Sequence, residues 1–510
     1  MEMTPERFDA LVKRLEELAA RRPGTYKLRV FLLALLGYLY IFSVIAVLLV
    51  LSGFLLRAML SGGVGLNWLV IKLSIGLLAL GGIILRALWV RMAPPEGLRL
   101  ERKDEETLFA MIDSIQETLK APRVHEILLT DDFNASVSQV PRLGILGWHK
   151  NYLALGLPLM QALPPKQFRA VLAHEFGHLS GAHGRFSSWI YRVRVSWYRL
   201  MTQLDAREHW GAIVFARFFQ WYAPYFEAYS FVLARAQEYE ADRLAAEIAG
   251  SKEMADTLVN LEISRAYFQE AFWPSLYQRA NTEAQPSSAP FTEMQIDLHS
   301  GWRPEQARKW LRWALALQTD NLDTHPSLSA RLSALGQEAR LPACVKESAA
   351  EYFMKNSLVR LTACLNSKWK AGMIDAWKER YKHAQQSRQH LLELERKARS
   401  GPLTLEDAWQ RATLTEELYE SQAALPLFQQ VLDLKPDHAG ALFSVGRILL
   451  SRDQAGGIDY IKNAMRLDNE HALNGYYLVC AFLIGNGRAD EAKAFYDSSK
   501  GEPSELSRAG

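Results

Sequence analysis

The sequence predicts a mainly α-helical chain in three parts: an N-terminal transmembrane helical hairpin, an α+β middle domain with a small sheet, and C-terminal helical repeats. Three observations predict it. Two long apolar runs fall within the first 92 residues, short β-like runs followed by helical spacing fill the middle, and the last hundred residues recur at an interval of 33. The 510 residues are enough for about three domains and more than one core.

The hairpin rests on length and charge. Residues 30–56 form a run of 27 without a charge. At about 1.5 Å per residue such a helix crosses a hydrocarbon layer of roughly 30 Å with some tilt. Residues 64–90 form a second run, in which Lys72 and Arg86 lie near enough to the ends to snorkel. The Gly-rich linker 57–63 between them is short. Seven lysines and arginines precede the first run, and Arg91, Arg99, Arg102 and Lys103 follow the second, whereas the linker carries only Arg57. The positive-inside rule therefore predicts a two-pass integral membrane protein with both termini in the cytoplasm. The first run is too long for a cleaved signal and lacks a small-residue cleavage site. Phe8, Leu11, Leu15 and Leu18 recur at helical spacing among charges, which predicts an amphipathic helix on the membrane or on the body of the protein.

After Pro94-Pro95 a charged amphipathic helix is expected to about residue 120. Residues 125–129 and 152–157 read as strands, with Gly144, Gly147 and Asn151 marking turns. From 164 to 270 the pattern is mainly helical, 282–290 reads as a loop, and helices resume over 303–318 and 328–400. In the last part, LPLFQQVLDLKPDH at 425–438 aligns with IDYIKNAMRLDNEH at 458–471, and EAKAFYDSSK at 491–500 falls 33 further on. Paired amphipathic helices at this period carry the tetratricopeptide signature, and arrays of this kind bind peptides or protein partners. A plain helical bundle is the alternative.

The net charge of +3 carries no strong basic excess, and no basic stripe is present, which argues against nucleic acid. Cys344, Cys364 and Cys480 have neither zinc-knuckle nor redox spacing.

The strongest chemical signal is LAHEFGHLSGAH at 172–183. His174 and His178 are four apart, so on a helix they share a face and can chelate one ion. Glu175 follows the first histidine, on the side where an activated water would sit, and Gly177 leaves room there. A catalytic zinc takes a third protein ligand and keeps one position open. RAQEYEADRLA at 235–245 offers Glu238 and Asp242, again four apart. Glu238 is assigned to the metal, and Asp242 to the far nitrogen of a ligand histidine. The alternative is a solvated acidic face, since Glu240 and Glu247 are close by. His183 reads as a local polar contact.

With these residues in this order, the chain resembles metallopeptidase family 48, which includes the CAAX prenyl endopeptidases and the HtpX heat-shock membrane proteases. The matching features are HEFGH at 174–178, EYEAD at 238–242 and DTHPSLSARL at 323–332. NASVSQV at 134–140 and NYLALGLPLM at 151–160 look like the family's strand segments. The resemblance implies a zincin-like fold, Glu238 as third ligand of one zinc per chain, His325 beside the scissile bond, and Arg331 organising that pocket. Two departures stand out. Between the histidines and Glu238, residues 185–233 are aromatic but broken by charges, which predicts helices packed on the body or at the membrane surface. The many additional spans of the CAAX enzymes are missing.

The sequence thus reads as a zinc metalloendopeptidase, with Glu175, His325 and Arg331 as catalytic residues. An extended substrate is expected to bind near Asn134, Ala135, Tyr152, Leu153 and Leu155, adding a strand beside 151–157. Protein or peptide substrates, membrane lipid and a protein partner on the repeats are the expected partners, in membrane-protein quality control or processing of a specific partner. A non-catalytic membrane scaffold with structural zinc is the alternative. The expected division is an amphipathic cytoplasmic segment at 1–29, the transmembrane hairpin at 30–92, the protease domain at 94–340 facing the cytoplasm, a helical connector at 341–400, and repeats at 401–500.

Overall fold

A computed structural model describes residues 3–60, 68–88, 94–141, 149–180, 186, 189–190, 193–194, 197, 210–286, 289–319, 325–419 and 421–499. His183, Gly144, Gly147 and the linker residues 61–63 lie outside the described residues. The chain forms two compact units. The first is Met1–Thr257 with Thr319–Glu338 and Glu347–Ser357; the second is Leu258–Gln318 with Ala339–Lys346 and Leu358–Gly510.

The first unit opens with the amphipathic helix Pro5–Arg21, capped by the Thr4 side chain. Its apolar stripe, with Val12 and Leu15 buried, joins a cluster with residues of the helices Pro23–Leu60 and Trp210–Ala249. The segment therefore packs on the body of the protein. One described helix, Pro23–Arg57, is long and apolar enough to cross a membrane. The second apolar run is helical over Trp68–Leu88 and packs against the first.

The aromatic half of Trp210–Ala249 also packs along the first apolar helix. Tyr222 donates its hydroxyl to the Leu33 carbonyl at 2.7 Å, and Phe218 stacks on Tyr40. Gly37 makes this contact possible: a methyl there would lie 2.4 Å from the Trp197 ring. The described part of residues 185–233, with Trp197, Phe219 and Tyr222, packs along the first apolar helix.

A four-stranded sheet, in the order β1-β2-β4-β3, lies beside the helices. Its strands are β1 (Leu98–Arg99), β2 (Glu126–Thr130), β3 (Ala135–Pro141) and β4 (His149–Gly156). β4 runs parallel to β2, with Glu126 opposite Tyr152, and antiparallel to β3, with Ala135 opposite Leu155. The last turn into the next helix is tight. A methyl at Gly156 would lie 1.7 Å from the Asp132 carbonyl oxygen, so only glycine fits there.

This pairing corrects one expectation. Tyr152, Leu153 and Leu155 belong to a central strand whose backbone is paired on both sides, and all three side chains are buried. An added strand needs unpaired backbone groups, so 151–157 cannot receive a substrate. Among the described residues the sheet's edges are β1 and β3.

In the second unit, helix Leu358–Ser400 is followed by six helices: Leu405–Leu418, Ser421–Leu434, Ala439–Ser451, Gly457–Leu467, Ala472–Gly485 and Ala489–Ser499. Each of the six packs on the next. Gly446 and Gly457 sit where two of them cross, and a methyl at either would meet the other's neighbourhood at under 3 Å.

Candidate metal centre

Helix Pro165–Gly177 starts where the sequence supplies Pro164-Pro165, with Pro165 in the first turn, where its missing N–H costs nothing. Phe168, Leu172 and Phe176 are fully buried and fix its rotation. The helix packs against β3, Glu106–Leu119 and Trp210–Ala249. Its two histidines are thereby held toward the helix that carries Glu238 and Asp242.

These helices touch at Gly177. A methyl there would lie 3.1 Å from Ala241 Cα and 3.3 Å from its Cβ. Ala241 sits between Glu238 and Asp242 in sequence and is itself buried. The space beside Gly177 is therefore taken by the neighbouring helix. The reading that this glycine leaves room for a water is replaced by one in which it lets two helices touch.

The result is a three-sided donor set. The Nε2 atoms of His174 and His178 are 3.1 Å apart, with the rings perpendicular. Glu238 places Oε2 3.6 Å from His174 Nε2 and Oε1 3.5 Å from His178 Nε2. Around a tetrahedral ion with bonds of roughly 2.0–2.1 Å, neighbouring donors lie about 3.4 Å apart. The three side chains therefore fit one ion of zinc's size, and their chemistry, two imidazoles and a carboxylate, suits it.

Behind the donors runs a chain of ionic contacts. His174 Nδ1 lies 2.9 Å from Asp242 Oδ1. Arg331 grips the same carboxylate with two hydrogen bonds, Nε to Oδ2 at 2.8 Å and Nη2 to Oδ1 at 2.6 Å. Asp242 is 1% exposed, so this bidentate pair is what lets a carboxylate be buried there. Arg331 thus acts through Asp242 and His174. His325 also reaches the centre, with Nδ1 2.9 Å from Glu238 Oε2 and a side chain 60% exposed. A clasp that sequence spacing did not signal holds these two residues. Thr319 Oγ1 accepts a hydrogen bond from the Ser327 backbone N–H at 2.9 Å, and Ser327 caps the helix Leu328–Ala334 that bears Arg331.

The electrostatics follow from burial and pairing. Burial lifts the Glu175 carboxyl to about 7, against the pull of His174. Burial pushes His178 down to about 4, so its ring is neutral and keeps a lone pair for a metal. At His174 burial acts the same way, but Asp242 and Glu238 outweigh it and raise the ring to about 9. Burial likewise opposes ionisation of Glu238, and contacts from His174 and His325 hold it well below the usual carboxylate range. Asp242 is lowered too, burial being overcome by Arg331 and His174.

The predicted residues divide cleanly by place. His174, Glu175, His178, Glu238, Asp242, His325 and Arg331 come together. Asn134 and Ala135 lie at the start of β3, beside the histidine helix, while Tyr152, Leu153 and Leu155 are inside the sheet.

Gly177→Ala tests the helix crossing. The added methyl must move the helices apart by a few tenths of an ångström, which predicts weaker metal binding, by roughly 10-fold or more, in a folded protein. Chelator competition read by a zinc-sensitive dye measures it. Unchanged affinity would mean that the crossing does not set the donor geometry.

No curated protein matches the chain significantly. Residues 127–339, a segment that holds all seven of these converging residues, match the model of Peptidase family M48, and the match supports membership of that family of metallopeptidases.

Proposed function

We propose that this chain is a membrane-anchored zinc endopeptidase that cuts protein or peptide substrates. The observation that carries the proposal is the convergence of His174, His178 and Glu238 with a half-buried carboxyl, Glu175, next to the first of them. His174, His178 and Glu238 would hold one zinc ion per chain. When bound, that ion supplies polarisation of the scissile carbonyl and acidification of a water.

The protein's own groups supply the rest. Glu175, poised near neutral pH by burial, takes the proton of the attacking water and hands it to the leaving amine. Asp242, held by Arg331, keeps His174 in one orientation. His325, exposed and adjacent to Glu238, would donate to the carbonyl oxygen of a bound peptide, a role its position beside the donor set supports. The outer edge of β3 is the reading that replaces 151–157 as the substrate strand, because β3 is an edge among the described residues and packs on the histidine helix.

The anchor would be Pro23–Arg57, with Trp68–Leu88 as the second pass that the charge distribution favours. The same distribution favours the cytoplasmic side for the metal centre. The six C-terminal helices, with their interval of 33, support a tetratricopeptide-like array that selects a partner or substrate. Together these features favour membrane-protein quality control or processing of a chosen partner.

Glu175→Gln is the decisive variant. It keeps shape and ligands, so zinc content should equal that of the parent while cleavage of casein falls about 10²–10⁴-fold or more. Cleavage at the parent rate would remove Glu175 as the base. A parent protein that binds zinc yet cuts nothing would favour a scaffold with a structural ion.

The substrate edge is tested on the same inactive variant. A substrate peptide carrying a benzophenone should label residues within 135–141. Labelling that avoids this stretch altogether would show that β3 is not where the peptide lies.

A further inference from the structure

A cavity of about 440 Å³ opens at the point where the first helix ends and the membrane helix begins. That volume falls in the range of small-molecule sites, roughly 300–1,000 Å³. Ala19, Tyr26, Leu119, Leu233 and Leu244 give it an apolar body. Lys27 lines it and is half-buried. Among the described residues, no carboxylate forms an ion pair with Lys27. The acidic residue at the cavity is Glu240, which Arg243 engages at 2.8 Å. Pro23 also lines the cavity, so the first turn of Pro23–Leu60 borders it. Pro23 has no N–H and the Tyr26 N–H is bonded to the Arg22 carbonyl oxygen at 3.0 Å, so the charge of Lys27 is what the cavity offers an anion.

The cavity does not lie in front of the metal donors. Leu233, Gln237, Glu240 and Leu244 form one stripe of Trp210–Ala249, whereas Glu238 and Asp242 form another. At about 100° per residue the two stripes are roughly 150° apart. The cavity is thus behind the catalytic face, yet it touches the same two helices, since Gly177 and His178 also border it.

We propose that this cavity binds an anionic amphiphile, with its acyl chain among the apolar side chains and its carboxylate or phosphate at the Lys27 ammonium. The membrane as the source of that ligand rests on the reading of Pro23–Arg57 as a membrane anchor. Lys27 and Arg29 immediately precede the apolar run, which sets the cavity at the level of lipid headgroups. Occupancy braces the junction between the first helix and the helices that carry His178 and Glu238, so the bound lipid stabilises the metal centre from behind.

The test uses the full chain in detergent, on the Glu175→Gln background, so that binding is read without reference to hydrolysis. Displacement of a fluorescent fatty acid by oleate, by phosphatidylglycerol and by neutral oleyl alcohol is measured, with native mass spectrometry giving the stoichiometry. Oleate or phosphatidylglycerol should bind saturably at one per chain, and the stronger of the two identifies a free acid or a membrane lipid as the source. Lys27→Gln should weaken the anionic ligand about 10-fold or more and leave oleyl alcohol unchanged. Ala19→Phe should fill the cavity and weaken all three. Lys27→Gln, a change at a half-buried surface group, keeps the proposal testable if Ala19→Phe does not fold. No saturable binding, equal affinity in Lys27→Gln, or displacement by a substrate peptide would overturn it. Loss of zinc with lipid binding intact would count against the protease reading alone.

Discussion

The contact between Gly177 and Ala241 is the constraint on which the metal centre depends. The histidines come from one helix and the acids from another, with about sixty residues between them in sequence. Neither helix can hold a metal by itself. Donors converge to within 3.1–3.6 Å only because the helices touch at the turn that carries them. The surrounding structure serves this contact. Phe168, Leu172 and Phe176 fix the roll of one helix, and the packing of Pro5–Arg21 and Pro23–Leu60 fixes the other. The same long helix thus packs on the apolar helix Pro23–Leu60 with its first half and carries Glu238 and Asp242 in its second.

Burying so much charge is unfavourable unless every charge is paired. Removing one partner of a buried pair costs about 3–5 kcal/mol, because the remaining ion is left uncompensated. Arg331, Asp242 and His174 form such a chain. Its return is orientation, because a histidine that cannot rotate presents one nitrogen to the ion at all times. The Thr319–Ser327 clasp extends this outward, since one short segment delivers both His325 and Arg331. The donor set is therefore pre-formed, and little ordering is left for metal binding to do.

Spacing made the donors legible. His174 and His178 at i and i+4, and Glu238 and Asp242 at i and i+4, state that each pair shares a helix face, and length with apolarity marked residues 30–56 as a helix long enough to cross a membrane. What stayed hidden is what depends on non-local pairing. Apolar alternation marks 152–157 as a strand but does not say that both its edges are occupied, because β2 and β3 reach it from either side. A glycine inside HEFGH looks like space for a small molecule until the neighbouring helix is seen filling it. Arg331 and Asp242 are 89 residues apart, and no local pattern announces their pairing. His183 lies outside the described residues, so its reading as a local contact stands where the sequence left it.

The central claim is that two crossing helices present two imidazoles and one carboxylate to a single zinc ion. Zinc K-edge X-ray absorption on the full chain tests it most directly. The account predicts one zinc per chain, with two imidazole signatures, light-atom ligands at roughly 2.0–2.1 Å and no sulfur. Sulfur scattering from Cys344, Cys364 or Cys480, or a protein that retains no zinc at all, would contradict it.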